Sequence, residues 1–194
     1  MKSEKFDIYV IGVGGQGIGL LSETLLRAAD HAGLAVRGVD THGLAQRGGM
    51  VASHVRIGAG ARSPLIMAGQ ADMVVALERH EAMRGLNHFL KDGGTLAYYD
   101  AAWQPLNVRL KMEAAATAAA IGAACGQRGI REVRVFRADL PDPLMQNMAV
   151  LGMIGRLELV PGVKAAHYEA ALADLLEGAK LETNLALWRG MVQG

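Results

Sequence analysis

Cysteine is almost absent from this sequence of 194 residues. The one cysteine, Cys125, leaves no partner for an internal disulfide and fits a reducing compartment. It cannot supply the four thiolate ligands of an iron–sulfur cluster, so the chain cannot hold such a cluster by itself. No zinc-ligand spacing is visible, and the sequence predicts no metal site. The surroundings of Cys125 are rich in alanine and include no base, so we expect a buried, unreactive thiol.

An excess of charge of either sign is also missing. The chain carries 20 basic and 19 acidic residues, a formal net charge of +1. This balance gives no electrostatic reason to expect binding to nucleic acid or to a membrane surface. Hydrophobic residues make up 51% of the chain, so we expect one folded domain, residues 1–194, with a substantial core.

Long apolar runs are missing as well. The longest, at 114–125, is rich in alanine, is interrupted by Thr117 and Gly122, and is too short to span a bilayer. The first five residues lead directly into a predicted strand and lack a signal-peptide core. We therefore expect a cytoplasmic protein.

Known reaction motifs are absent too, including the G-x-S-x-G nucleophile turn and the Walker lysine. Glu78 and Asp100 end neighbouring segments, and nothing favours a carboxylate pair over helix-start and turn roles. Ten methionines against three phenylalanines indicate an adaptable apolar surface that suits a partner. The sequence predicts a scaffold without a self-contained reaction centre.

The clearest positive signal is the stretch DIYVIGVGGQG at 7–17, followed by a helical pattern from Ile18. A strand, a glycine turn and a helix are the context in which G-x-G-x-x-G indicates dinucleotide binding. The N–H groups of the first helical turn form a site for an anion, usually a phosphate. Two interpretations stay open: the glycines bind a ligand, or they serve only tight packing of strand against helix.

A second polar stretch, THGLAQRGG, follows at 41–49. We expect a strand over 34–39 that ends at Asp40, where an acid would hold the ribose of a dinucleotide; capping of the next turn is the alternative. The loop after it is predicted to lie at the carboxyl end of this strand, where open α/β sheets bind ligands. Arg47 between glycines suits a phosphate or carboxylate, and a solvated surface turn is the alternative for His42 and Arg47.

The remaining pattern alternates strands and helices. It predicts a three-layer, Rossmann-like α/β unit with a mostly parallel sheet and a C-terminal helical segment from about residue 144. In the strand at 50–57, His54 and Arg56 are expected to be exposed, and His80 and His88 to be solvated on a helix. Further predicted elements are a short edge strand at 63–67, strands at 71–77, 95–99 and 132–136, and helices at 78–90, 112–128, 144–159, 165–177 and 181–192.

The helix predicted at 144–159 is apolar almost all round, so it must be buried centrally or against another chain. Pro141 and Pro143 mark the boundary before it. We find no chemistry in the C-terminal helices. Helix capping is the expected role of Gln146, Asn147 and Asn184, with a hydrogen-bonding role in a site as the alternative.

Two stretches carry a family resemblance: IYVIGVGGQGI at 8–18 and DTHGLAQRGGMVASHVRI at 40–57. They resemble the gamma-type subunit of 2-oxoacid:ferredoxin oxidoreductases. The H-G-x-x-Q-R-G-G form is most similar to the small (beta) subunit of indolepyruvate:ferredoxin oxidoreductase. Supporting similarities lie at 63–66, 71–84, 146–148 and 181–184, so the resemblance spans nearly the whole chain in matching order.

The resemblance implies a subunit of a complex that oxidatively decarboxylates a 2-oxoacid, such as indolepyruvate or another aryl pyruvate. The product would be an acyl-CoA, with coenzyme A as co-substrate and electrons passed to ferredoxin. Thiamine diphosphate, Mg²⁺ and iron–sulfur clusters are then expected on a larger partner subunit, and none on this chain. His42, Gln46 and Arg47 become candidates that face an intersubunit active site. The implied cofactor-binding residues are Gly12, Gly14, Gly15, Gln16, Gly17, Arg47, Gly48 and Gly49.

Two other functions stay open on the residues alone. A stand-alone NAD(P)-dependent oxidoreductase is supported by Gly12, Gly14, Gly17 and Asp40. A nucleotide- or CoA-binding module without catalysis is the other alternative. For an isolated chain, the apolar helix at 144–159 leaves homodimerisation as a further open alternative.

Overall fold

The computed structural model describes residues 5–42, 49–102 and 114–194. Strands and helices alternate along most of this part of the chain, as the sequence pattern predicts. The strands are β1 (Phe6–Val13), β2 (Val36–His42), β3 (Met50–Ile57), β4 (Ala71–Ala76), β5 (Leu90–Tyr99) and β6 (Arg131–Val135). The α-helices are α1 (Ile18–His31), α2 (Arg79–His88), α3 (Ala118–Gln127), α4 (Gln146–Arg156), α5 (Ala165–Leu175) and α6 (Gly178–Gln193), with a 3₁₀ turn at Pro143–Met145 before α4.

The strands form one mixed, mostly parallel sheet in the order β2-β3-β1-β4-β5-β6. The pairs β1–β4, β4–β5 and β5–β6 are parallel, whereas β3 runs antiparallel to both β1 and β2. β3 thus lies between β1 and β2, which run in the same direction but do not touch as neighbouring strands. The carboxyl ends of β1 and β4 meet, with Ile11 beside Ala76.

Helices cover both faces of the sheet, which confirms the predicted three layers. In β1, Ile8 and Val10 point to one face and Tyr9 and Ile11 to the other, because successive side chains of a strand alternate. We call the face covered by α1, α4, α5 and α6 the first face, and the face covered by α2 and α3 the second face. The C-terminal helices therefore belong to the core of the first face.

Helix α4 is buried within this chain, as its apolar character requires. Its residues 148–151 have no exposed surface. It crosses α6 closely: a Cβ on Gly152 would lie 2.4 Å from Cβ of Met191. The longest helix in the described ranges is α6, with 16 residues. No described helix is long and apolar enough to cross a membrane.

Several predicted helix boundaries are wrong, and α4 ends at Arg156 instead of 159 while α6 begins at Gly178 instead of 181. Helix α2 ends at His88, and β5 begins at Leu90, so residues 91–94 lie in the strand rather than ending the helix. Helix α3 begins at Ala118 instead of Met112. Its start is fixed by Thr117, whose side chain accepts a hydrogen bond from the Ala120 N–H (3.1 Å).

The predicted exposure of His54 and Arg56 is also wrong, and so is the predicted edge strand at 63–67. Both side chains are buried on the second face, because the segment at 63–67 crosses over them without forming a strand. The Arg56 guanidinium donates to the Ser63 and Leu65 carbonyls and pairs with Asp7 (2.8 and 3.0 Å). His54 Nδ1 accepts from the backbone N–H of Ile66 (3.1 Å).

Candidate functional site

The glycine turn between β1 and α1 has the geometry that its sequence predicts. Gly15 (φ +102°) and Gly17 (φ +78°) occupy the left-handed region, which residues with a side chain rarely adopt. The Gln16 N–H donates to the Val13 carbonyl (3.1 Å) and closes the turn. The backbone conformation therefore requires glycine at positions 15 and 17.

Gly12 serves the packing of strand against helix. A Cβ at this position would lie 2.7 Å from Cδ1 of Ile18 and 2.8 Å from Oε1 of Gln16. The packing interpretation of the glycines thus applies at Gly12, whereas ligand binding at the turn stays a prediction.

Gln16 turns its side chain inward. The residue is 6% exposed, and its Oε1 accepts a hydrogen bond from the Val13 N–H (2.8 Å). Through this bond, the amide oxygen of Gln16 stabilises the end of β1. The structure therefore assigns Gln16 a role in shaping the turn.

An open pocket of about 290 Å³ lies beside the turn. The first N–H groups of an α-helix have no partner within the helix, and the helix dipole adds positive potential there. The first turn of α1 contains no acidic residue that would cancel this potential. The arrangement suits an anion. The pocket is lined by Val13, Gly14, Gly15, Gly17, Ile18, Gly19 and Val51.

The second motif reaches the same place. The Gly14 N–H donates to the Gly49 carbonyl (2.9 Å), and β3 then begins at Met50, directly beside Val13. His42 ends β2 in register with Val51, which lines the pocket. The side chain of His42 and the whole of 43–48, with Gln46, Arg47 and Gly48, lie outside the described residues. Of the motif, the structure thus brings Gly49 against the glycine turn.

Asp40 does not lie where the dinucleotide interpretation needs it. It pairs with Ser53 inside β2, is exposed, and precedes the strand end by two residues. Strand β3 separates it from β1, and neighbouring strands are about 4.8 Å apart, so Asp40 lies roughly 10 Å to the side of β1. The expectation that the second strand ends at Asp40 is wrong, and the acid is far from the turn.

A side chain from the C-terminal helices contacts the turn, which fits the hydrogen-bonding role that was the alternative to helix capping. Asn147 of α4 is 4% exposed and donates from Nδ2 to the Gly17 carbonyl (3.3 Å). Its Oδ1 accepts from the Met148 N–H (2.8 Å). The available signal was a pair of amides, at positions 146 and 147, at the start of an otherwise apolar helix. Asn184 instead donates to the Lys180 carbonyl of its own helix (2.7 Å).

Other polar groups line the carboxyl edge of the sheet. Glu78 caps α2 by accepting from the backbone N–H groups of His80 and Glu81. Asp100 is bound by Arg79 and Arg134. Glu78 thus has the expected helix-start role, whereas Asp100 forms ion pairs instead of the expected turn.

Glu81 is a buried acid for which the sequence predicted no role. It is 4% exposed on the second face, and burial raises its pKa to about 7, with Glu78 adding to the rise. Arg84 opposes it, with Nη1 at 2.8 Å from the carboxylate. Burial, together with the charge of Glu81, raises the pKa of Tyr9 to about 12.

The remaining candidates have structural surroundings. Cys125 is 2% exposed, and burial raises its pKa to about 11, as expected of an unreactive thiol. His88 is exposed, whereas His80 is partly buried and accepts at Nε2 from the Ala116 N–H (3.2 Å), contrary to its predicted solvation. Within the described ranges, no group of three or more His, Cys, Asp or Glu side chains could hold a metal ion.

Comparisons with known proteins place these motifs among relatives. A family model described as pyruvate ferredoxin/flavodoxin oxidoreductase matches residues 7–190. Indolepyruvate oxidoreductase subunit IorB of Archaeoglobus fulgidus is 54% identical over 80 residues, which are 41% of this chain and 39% of that protein. The subunit of the same name from Thermococcus kodakarensis is 40% identical over 91 residues, 47% and 45% of the two chains. The chain thus aligns with less than half the length of these curated relatives.

Solved structures share the fold. The gamma subunit of a keto/oxoacid ferredoxin oxidoreductase from Geobacter sulfurreducens matches with a TM-score of 0.67 at 20% identity, covering 97% of this chain and 96% of that one. The 2-oxoglutarate:ferredoxin oxidoreductase of Magnetococcus marinus, with 2-oxoglutarate, coenzyme A and succinyl-CoA bound, matches with a TM-score of 0.69 at 17% identity. That match covers 99% of this chain and 32% of that one.

Proposed function

This chain belongs to the pyruvate ferredoxin/flavodoxin oxidoreductase family, and we propose that it is the gamma-type subunit of a 2-oxoacid:ferredoxin oxidoreductase. The complex would oxidatively decarboxylate a 2-oxoacid to an acyl-CoA and pass the electrons to ferredoxin. The names of the relatives support indolepyruvate or another aryl pyruvate as the substrate. Such a chain acts only together with a larger partner subunit.

The part of the reaction that this chain would serve is binding of coenzyme A. The observation that carries the proposal is the pocket at the glycine turn, where left-handed Gly15 and Gly17 precede the first turn of α1. Phosphate oxygens are strong acceptors, and helix N-termini bind them without any basic side chain. The bound coenzyme A in the Magnetococcus marinus relative supports the choice of this anion. The phosphate groups of coenzyme A would lie in this pocket.

The second motif would complete the site. The bond between Gly14 and Gly49 ties its last glycine to the turn. A guanidinium binds phosphate or carboxylate through two parallel hydrogen bonds, so Arg47 would hold the coenzyme or the 2-oxoacid. His42, Gln46 and Gly48 are proposed to face the intersubunit active site with it.

The redox groups would lie on the partner. Thiamine diphosphate, held there with Mg²⁺, supplies the carbanion chemistry of decarboxylation when it is bound, and iron–sulfur clusters carry the electrons. The single buried thiol of Cys125 does not fit the donor set of a cluster. The division of labour would leave this chain to bind and orient the acyl acceptor.

A stand-alone NAD(P)-dependent oxidoreductase is less well supported. That function needs an acid at the end of the strand beside β1, to hold the ribose. Here β3 occupies that place, and Asp40 lies one strand further away.

The test begins with a tagged chain purified from its native host. We expect a brown partner to co-purify, and the eluate to reduce a dye with indolepyruvate and coenzyme A in a thiamine-dependent reaction. In that complex, Gly15→Val places a branched side chain at a left-handed position of the turn, and Arg47→Ala removes the guanidinium. Each variant should raise the KM for coenzyme A at least tenfold. His88→Ala, on the exposed side of α2, is the control. A colourless single chain, or an unchanged KM in both variants, would refute the proposal.

A further inference from the structure

Asn147 is bonded at both ends of its side-chain amide. Nδ2 donates to the Gly17 carbonyl (3.3 Å), and Oδ1 accepts from the Met148 N–H (2.8 Å). The contact with Gly17 joins residues 130 positions apart in sequence. The Gly17 carbonyl also accepts the first hydrogen bond of α1, from the Leu21 N–H (3.1 Å). The Gly17 carbonyl thus accepts one hydrogen bond from α1 and one from α4.

We propose that Asn147 is a positioning residue that fixes the glycine turn for anion binding. The inference rests on the proposed binding of coenzyme A at this turn. Gly17 is the N-cap of α1, with φ +78° and ψ +29°. Rotation of its peptide plane would redirect the N–H groups beside the pocket. A second donor on its carbonyl, held by a buried helix, opposes that rotation.

The packing around Asn147 makes it a rigid support. Residues 148–151 of α4 have no exposed surface, and Gly152 and Gly155 bring the helix against Met191 and Trp188 of α6. A Cβ on Gly17 would lie 2.4 Å from Nδ2 of Asn147. The turn is therefore restrained by a hydrogen bond on the Gly17 carbonyl, and Asn147 occupies the space that a side chain at position 17 would need.

Capping of α4 alone does not explain the contact. The N-cap of α4 is Met145, not Asn147. The bond from Asn147 Oδ1 to the next N–H is local, but the Nδ2 donor is directed out of the helix to Gly17. Asn184 shows the contrast, since its Nδ2 donates to a carbonyl four residues earlier in its own helix.

The test uses the intact complex with its partner subunit, and Asn184→Ala as the matched loss of an amide donor. We expect Asn147→Ala to raise the KM for coenzyme A about fivefold, with kcat within about twofold of the unmodified complex. Asn147→Asp, which keeps the shape but presents an acceptor to the Gly17 carbonyl, should raise the KM further. Asn184→Ala should leave the KM unchanged.

A double variant provides a second readout. Gly17→Ala should raise the KM more than Asn147→Ala does, because it adds a Cβ both to a left-handed residue and against Nδ2. Adding Asn147→Ala to Gly17→Ala removes that contact. The increase in the KM for coenzyme A in the double variant should therefore be well below the product of the two single increases. Multiplicative effects would overturn the inference.

The outcomes separate this inference from the proposal on which it rests. If Gly17→Ala raises the KM for coenzyme A but neither Asn147 variant does, the inference is wrong and the coenzyme site stands. If Gly17→Ala also leaves that KM unchanged in a folded, active complex, both are wrong. A fall in kcat and melting temperature at unchanged KM would show that Asn147 is only structural, and would overturn the inference.

Discussion

The two faces of the sheet are stabilised by different physical means. The first face is almost wholly apolar, and its helices approach each other through glycine, as where Gly152 of α4 meets Met191 of α6. The second face buries ionisable groups against the same strands. Those groups are Asp7, Tyr9, His54, Arg56, Glu78, Glu81 and Tyr98.

The two faces therefore support different parts of the molecule. The glycine turn leads into α1 and is held by Asn147 of α4, so its support comes from the apolar first face. The charged groups of the second face instead secure the segment at 63–67 and the start of α2. We expect the first face to respond to changes of volume and the second to changes of charge and pH.

The largest expected effect is the loss of the buried ion pair on the second face. Arg56→Met would leave Asp7, which has no exposed surface, with the partly exposed Lys5 (2.7 Å) in place of its buried guanidinium partner, and would release the Ser63 and Leu65 carbonyls. Removing one partner of a buried pair costs about 3–5 kcal/mol of unfolding free energy, measured by chemical denaturation. Arg189→Met, which breaks the exposed pair with Glu169, should cost less than about 1 kcal/mol. Equal losses would contradict the contrast.

A pH-dependent effect of somewhat smaller size is expected at Glu81. The unfolded carboxyl loses its proton near its ordinary pKa of 4.5, whereas the folded one, facing Glu78, Arg84 and Tyr9, keeps it to about 7. Between these values the folded state binds more protons, so stability falls as the pH rises.

The variant Glu81→Gln should remove this slope. Relative to Glu81→Gln, the unmodified chain should lose on the order of 2–3 kcal/mol of unfolding free energy between pH 4 and pH 8. Glu169 provides a control in which the pH dependence of stability has the opposite sign. Its hydrogen bond to Arg189 lowers the pKa of Glu169, so its contribution to the unfolding free energy is lost as the pH falls. Parallel pH curves for Glu81→Gln and the unmodified chain would refute the prediction.

On the first face, the matched change is one of volume. Gly152→Ala places a methyl group 2.4 Å from Cβ of Met191, which no side-chain rotation can move. Such overpacking should lower the unfolding free energy by about 1–3 kcal/mol, independently of pH. Gly190→Ala, in α6, where a Cβ would meet no atom of the described residues within 4 Å outside the local backbone of its own helix, should be neutral or stabilise by up to about 1 kcal/mol. A loss of unfolding free energy in Gly152→Ala that depends on pH would contradict the proposed difference between the faces.

Local sequence predicted most elements and the turn itself. Alternating apolar residues gave β3 to the residue, and the continuous apolar run at 71–77 gave β4 within one residue, because a strand buried on one or both faces needs such a pattern. The sequence predicted the glycines at 12, 15 and 17 as one turn. Only the structure shows that position 12 needs glycine for packing and that positions 15 and 17 need it for their backbone conformation.

Relations between distant segments were not predictable from the same patterns. Nothing local to β3 indicates that it pairs between β1 and β2, and this insertion removed Asp40 from the turn. The burial of His54 and Arg56 depends on the segment at 63–67 that crosses them. Asn147 is a polar residue in an apolar helix until the fold brings it to Gly17.

The smallest expected effects come from two buried tyrosines, one on each face. Tyr98 of the second face has no exposed surface and donates to Glu132 (2.9 Å), whereas the hydroxyl of Tyr168 on the first face, 1% exposed, finds no partner among the described residues. Tyr98→Phe should lower the unfolding free energy by about 1 kcal/mol, because the bond is lost and Glu132 loses a donor. Tyr168→Phe should be neutral or stabilise by up to about 1 kcal/mol, since it removes a buried polar group without a bond. Thermal unfolding of the two variants side by side measures this contrast, and a larger loss in Tyr168→Phe would show that the first face also contains a polar contact that matters.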